Sequence, residues 1–309
     1  MTSDGFHRDL RAWRFLPRRA VGPRTMPLVR AAARLAGRRA DRSGAEVVDV
    51  GDGVSVRLFR PAVPAASPTP ALLWVHGGGM VIGSAAQDDA QNRRWADELG
   101  IVVASVEYRL APEHPHPVPL LDCAAALRWL AALPEVNPGR VAVGGASAGG
   151  GLAAGLALHQ RDTGGVRPVL QLLSYPMIDD RTVVLPGGDH RPFRLWDPVA
   201  NRLGWTSYLG RGLPPGGPGV PATAAPARAE DLSDLPPAWI GVGTLDLFLD
   251  EDVTYAQRLR GAGAPADLHV MPGAYHGFDG VEAGTPVARD FLAARTAALA
   301  AALGVTAPR

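Results

Sequence analysis

Lysine does not occur in the chain: all 31 basic residues are arginine. Cysteine is almost as scarce, with one in 309 residues, so no disulfide forms within the chain and a reducing compartment is allowed. That residue, Cys123, lies in the apolar periodicity of residues 120–133 and reads as a buried small hydrophobe. A single Cys, with no H-x-x-H or H-E-x-x-H spacing among eight histidines, disfavours a zinc hydrolase. Long apolar runs are missing too. The most apolar stretch, Ala71 to Gly83, contains His76 and falls short of the roughly 20 residues that span a bilayer. Residues 1–16 hold no apolar run followed by a small-residue cleavage site, so no secretory signal is expected.

What is present is ordinary for a globular protein. Hydrophobic residues make up 47% and charged residues 20%, which excludes disorder, a collagen-like chain and a disulfide scaffold. The net charge of +1 conceals a polarised chain. Residues 1–43 carry 11 Arg against three acids (Asp4, Asp9, Asp41), a balance of +8, while the remainder carries 20 Arg against 27 acids, a balance of −7. An Arg-rich start can be a transit peptide, a nucleic-acid arm, a membrane-surface helix or a lid with a solvated polar face. In this segment Leu10, Trp13 and Phe15/Leu16, then Leu28, Val29, Ala32, Ala33 and Leu35, recur near helical spacing with Arg between them. The pattern predicts two short amphipathic helices broken at Pro17, Pro23 and Pro27, packed on the body of the protein with Arg facing water.

From residue 46 onward, short apolar runs alternate with helix-length amphipathic segments. Strands are expected at 46–50, 54–60, 71–75, 101–108, 140–144, 169–174, 238–242 and 268–271, and helices at 88–99, 119–133, 148–161, 250–262 and 285–303. Continuous apolar strands between helices predict an α/β fold with an open, mostly parallel sheet covered on both faces. Residues 180–236 break the rhythm: rich in Pro and Gly, with Trp196, Trp205 and Tyr208, they read as an insertion with helices of its own.

The run Gly145-Ala146-Ser147-Ala148-Gly149-Gly150 follows the strand at 140–144 and opens a helix. G-x-S-x-G at a strand-to-helix junction is the setting of a nucleophile elbow, where a strained turn holds the serine and tolerates only small neighbours. Upstream, the strand at 71–75 ends in His76-Gly77-Gly78-Gly79, whose glycines would let backbone N–H groups approach a substrate carbonyl together with the N–H of Ala148. A serine nucleophile needs a base. His7 lies in the N-terminal segment, His190 in the insertion, His76 before the glycines, His114 and His116 in a Pro-rich loop, His159 on the helix after Ser147 and His269 inside a strand. Only His276 falls in a loop directly after the last strand, where open α/β sheets place their sites. The acid should follow the preceding strand. Asp250, Glu251 and Asp252 open a helix, where acids favour the dipole, whereas Asp246 has no such role and is the expected orienter of His276.

These residues resemble the bacterial hormone-sensitive-lipase-like (family IV) esterases of the α/β-hydrolase fold. The matching features, in the family's order, are His76–Gly79, Tyr108-Arg109-Leu110-Ala111-Pro112-Glu113, Gly145–Gly150, Ser174-Tyr175-Pro176, Asp246 with Asp250-Glu251, and His276-Gly277-Phe278. The resemblance implies a carboxylesterase with Ser147 as nucleophile, Asp246 and His276 completing the triad, and the N–H groups of Gly78, Gly79 and Ala148 forming the oxyanion hole. It implies an eight-stranded α/β-hydrolase body over 46–179 and 231–309 with a helical cap made from 1–45 and 180–230. The family usually has Asp or Thr where this chain has Ala146, and nothing in the spacing of Tyr108–Glu113 identifies a catalytic task. The expected substrate is a small-molecule ester of short to medium acyl chain, with no cofactor, metal, nucleic-acid partner or stable membrane insertion. A cytoplasmic location and a homodimer joined at the last strand's edge and helix 285–303 complete the expectations. A serine hydrolase of another acyl bond (amide, lactone or carbamate) stays open as an alternative, and a non-catalytic binding protein on the same fold is disfavoured by the intact Ser147, Asp246 and His276.

Overall fold

The computed structural model describes residues 1, 5–17, 21–39, 44–183 and 193–307. Parts of both expected lid segments, residues 2–4, 18–20, 40–43 and 184–192 with His190, lie outside the described residues.

Eight strands form one sheet: β1 (Glu46–Gly51), β2 (Val54–Phe59), β3 (Thr69–Val75), β4 (Val102–Glu107), β5 (Val136–Ala146), β6 (Gln171–Ser174), β7 (Ala238–Gly243) and β8 (Ala266–Met271). Their spatial order is β1-β2-β4-β3-β5-β6-β7-β8. β1 pairs antiparallel with β2, and β2 with β4; the other neighbours are parallel. The central strands are buried along their length, β3 at every residue, as expected where helices cover both faces.

Alternation along β3 divides the interior. Leu72 and Trp74 face a layer that includes Trp95, Phe291 and Leu299, from α2 (Asp89–Leu99) and α8 (Pro286–Leu303). Leu73 and Val75 face the opposite layer, with Leu127 and Leu152 from α3 (Val118–Ala131) and α4 (Ala148–Thr163). The alternation places Leu73 and Val75 on one face and Trp74 on the other, so a register slip by one residue would move both sets off their partners.

The N-terminal expectation needs one correction. α1 (Met26–Arg39) is present, but the first of the two expected helices is a single 3-10 turn, Ala12–Arg14. The N–H groups of Phe15 and Leu16 both donate to the Ala12 carbonyl, and Pro17 has no N–H to extend the ladder. Tertiary contacts hold this segment in place of helix propagation: Phe6 stacks on Trp13 with centroids 4.2 Å apart, and the His7 N–H donates to the Gly273 carbonyl at 2.9 Å. The insertion does carry a helix, α5 (Pro198–Leu209), started by Asp197, whose side chain accepts the Ala200 N–H at 2.8 Å. The chain then returns through β7 and α6 (Leu249–Gly261) to β8, α7 (Phe278–Val281) and α8.

Candidate active site

The sheet brings the motifs together through register. β3 and β5 run parallel with Val75 opposite Gly145, so the glycine loop after β3 and the turn after β5 emerge side by side. β7 and β8 end beside each other with Gly243 opposite Met271, which carries Asp246 and His276 to the same end of the sheet.

Ser147 has φ +55° and ψ −122°, a conformation that L residues adopt only when the surroundings impose it. The surroundings do so: the Ser147 N–H donates to the Ser174 carbonyl at 2.9 Å, and the Ser147 carbonyl accepts from the N–H groups of Gly151 and Met177, each at 3.0 Å. Gly149 makes the close approach possible, since a Cβ there would overlap the Val75 carbonyl. The Ser147 hydroxyl lies 3.0 Å from His276 Nε2, and His276 Nδ1 lies 2.8 Å from Asp246 Oδ2. A carboxylate oxygen accepts, so Nδ1 carries the proton and Nε2 presents its lone pair to the serine. The other carboxylate oxygen, Oδ1, accepts the Phe248 N–H at 3.0 Å. All three residues are buried, Asp246 fully.

The glycine loop packs directly on the serine. A Cβ on Gly77 would lie 2.9 Å from the Ala146 carbonyl oxygen and 3.4 Å from Ser147 Cβ. Gly78 and Gly79 have φ of +123° and +60°, and a side chain on Gly79 would overlap the Trp196 ring. Among the described residues, the N–H groups of Gly78, Gly79 and Ala148 have no acceptor within the chain. Three unpaired backbone donors on the segments that flank Ser147 are chemically able to receive a negative oxygen.

Several contributors were not legible as site residues. The Tyr108 hydroxyl donates to the His76 carbonyl at 3.0 Å, and its ring stacks on the His76 imidazole at 4.2 Å. Tyr108 therefore fixes the residue from which the glycine loop departs. His76 Nδ1 donates to the Gly77 carbonyl at 2.8 Å, and burial pushes the ring's pKa down to about 4. Tyr175 packs edge-on against His276 with centroids 4.8 Å apart, while its hydroxyl donates to Asp279 at 2.7 Å and Asp279 meets Arg295 at 3.3 Å. Trp196 and Gly204, from the insertion, pack on Gly79. Tyr108 and Ser174-Tyr175-Pro176 were visible as family markers only, because their roles run through contacts between distant elements.

The acids opening α6 do sit in its first turn, yet two of them are not solvated. Glu251 accepts the N–H groups of Ile178 and Asp179 at 2.9 and 3.2 Å, which ties the chain after Pro176 to α6. Asp252 is fully buried, and neither carboxyl oxygen has a partner among the described residues. Burial, with Glu251 and Asp246 close by, holds that carboxyl well above its ordinary 3.8. Ala146 lines a cavity of about 790 Å³ together with Tyr175, Asp279 and Arg295. Cys123 is buried, and burial pushes its thiol far up.

Comparison with known proteins matches residues 72–280 to a family described as alpha/beta hydrolase fold. The chain is 37% identical over 243 residues to Esterase LipI of Mycobacterium tuberculosis, covering 77% of this chain and 74% of that protein. It is 36% identical over 263 residues to Carboxylesterase NlhH of the same species, covering 81% and 79%. Among solved structures, a bacterial heroin esterase superposes with a TM-score of 0.86 at 37% identity, covering 97% of this chain and 98% of that one.

Proposed function

The chain belongs to the hormone-sensitive-lipase-like branch of the α/β-hydrolase-fold family, and from that premise we propose that it hydrolyses carboxylic esters of small molecules through an acyl-enzyme on Ser147. The observation that carries the assignment is the chain of two hydrogen-bonding contacts, 3.0 Å from Ser147 Oγ to His276 Nε2 and 2.8 Å from His276 Nδ1 to Asp246. Ser147 Oγ attacks the ester carbonyl carbon while His276 Nε2 takes the hydroxyl proton. Asp246 holds the imidazole tautomer and stabilises the imidazolium that forms. The negative charge on the former carbonyl oxygen is received by the N–H groups of Gly78, Gly79 and Ala148. His276 then gives its proton to the departing alcohol. A water, deprotonated by the same nitrogen, attacks the acyl-enzyme and releases the carboxylate.

The finer reading is a short to medium acyl chain beneath a lid of two pieces, residues 1–45 and 180–230. It is supported by the packing of Trp196 and Gly204 on the oxyanion loop and of Phe6 and Trp13 beside the His276 loop. Pairing of two copies at β8, an edge strand that exposes Val270, is part of the same proposal. The test of the chemistry is the rate on p-nitrophenyl acetate. Ser147→Ala and His276→Ala should each lower kcat by about 10⁴-fold or more, and a variant retaining a tenth of the parent rate would overturn the assignment.

A further inference from the structure

The N-terminal segment has an apolar and a cationic component exposed together, and neither serves the chemistry above. Phe15 is 89% exposed at the end of the 3-10 turn, next to the exposed Arg11 and Arg14, with exposed Arg8 a few residues before. One of these cations faces a carboxylate, Arg8 with Asp9 at 3.9 Å; among the described residues no carboxylate pairs with Arg11 or Arg14. At the start of α1 the pattern recurs: Leu28 is 74% exposed and Arg24, four residues earlier, is exposed. A lone exposed hydrophobe needs no explanation. Two of them, one next to Arg14 and one four residues after Arg24, in a segment carrying +8 against −7 for the rest of the chain, do.

We propose that the described residues 5–17 and 21–32 present a docking surface for an anionic lipid bilayer, with Arg8, Arg11, Arg14 and Arg24 on the headgroup phosphates and Phe15 and Leu28 entering the interface. Guanidinium forks pair with phosphate in two-point fashion, and an aromatic or Leu side chain gains by leaving water at the headgroup boundary. A nucleic acid would satisfy the guanidinium groups and leave Phe15 and Leu28 in water, so the exposed hydrophobes favour the lipid. The docking is reversible and peripheral: among the described residues no helix is long and apolar enough to cross a membrane. The surface also borders the site. The His7 N–H is bonded to Gly273, three residues before His276, and Arg194 from the insertion lies over the rings of both Phe6 and Trp13. A docked molecule would thus hold its catalytic loop near esters dissolved in the bilayer, a consequence that rests on the esterase reading, whereas the docking itself does not.

The experiment is sedimentation of the full chain with vesicles of phosphatidylcholine alone and of phosphatidylcholine mixed with phosphatidylglycerol, at low and high salt, with duplex DNA as a separate polyanion. Binding to the mixed vesicles, weak on the neutral ones and lost at high salt, is expected. Each Arg contributes about fivefold near an anionic surface, so Arg8→Gln, Arg11→Gln and Arg14→Gln together should weaken vesicle binding by about 100-fold. Phe15→Ser should weaken it severalfold while leaving p-nitrophenyl acetate hydrolysis unchanged. Equal binding to both vesicle types, no binding, variants that bind like the parent, or binding to DNA without binding to vesicles would each overturn the proposal.

Discussion

Asp252 shows how a single side chain departs from a simple positional rule. Acids in the first turn of a helix are ordinarily stabilising and solvated, but this one is buried with no partner for either carboxyl oxygen among the described residues. Its folded-state pKa is raised above the ordinary 3.8, so folding is most favoured below that pH and loses stability as pH rises and the unfolded chain ionises freely. Asp252→Asn should therefore raise Tm at pH 8 by about 2–5 °C, with the gain shrinking toward pH 4 in a calorimetric series; a gain that does not vary with pH would contradict this. Tyr108 works in the opposite sense, supplying a bond the active-site loop depends on. Tyr108→Phe keeps the stack on His76 but deletes the hydroxyl that holds its carbonyl. With the oxyanion role proposed for that loop, kcat should fall by about tenfold with KM little changed, the equivalent of one hydrogen bond of about 1.4 kcal/mol. Steady-state kinetics beside a melting curve separate this from a general loss of fold.

At the level of elements, the glycine loop after β3 and the insertion meet at Gly79. Gly79→Ala would drive a methyl group into the Trp196 ring and place Ala at φ +60°, so kcat/KM should fall by about 100-fold or more. Adding Trp196→Ala should recover part of that loss, and strictly additive effects in the double-mutant cycle would show that the two do not meet. Much of this level was legible in advance. All eight strands appear near their expected places because each is a short apolar run between helix-length segments. β5 begins at Val136, ahead of the expected Arg140, because the pairing of Val136 with Thr69 extends the strand across a polar stretch, Asn137-Pro138-Gly139, that apolar content does not reveal. The first N-terminal helix fails because its apolar spacing is met by stacking of Phe6 on Trp13, without helix propagation. Ser147, Asp246 and His276 stood out because each follows a strand and carries its own chemistry. Tyr108, Tyr175 and Glu251 did not, since each acts on backbone or rings far away in sequence, and no local spacing encodes a contact of that kind.

For the molecule as a whole, the segments after β3, β5, β7 and β8 converge at one end of the sheet, where Phe6 packs by Tyr275 and Trp196 by Gly79. The polarised charge follows the same division, with +8 in the N-terminal piece. Deleting residues 1–43 should change acyl-chain selectivity across a series of p-nitrophenyl esters, because Phe6 and His7 contact the segment that carries His276; identical kinetics across the series would remove the N-terminal piece from the proposed lid. The central claim is that Ser147 is the nucleophile, and the most direct measurement is peptide mass spectrometry after reaction with a fluorophosphonate ester. A single phosphonyl adduct on the peptide containing Ser147, with loss of activity in proportion to labelling and no adduct in Ser147→Ala, is the predicted result. An adduct on another residue, or persistent labelling of Ser147→Ala, would contradict it.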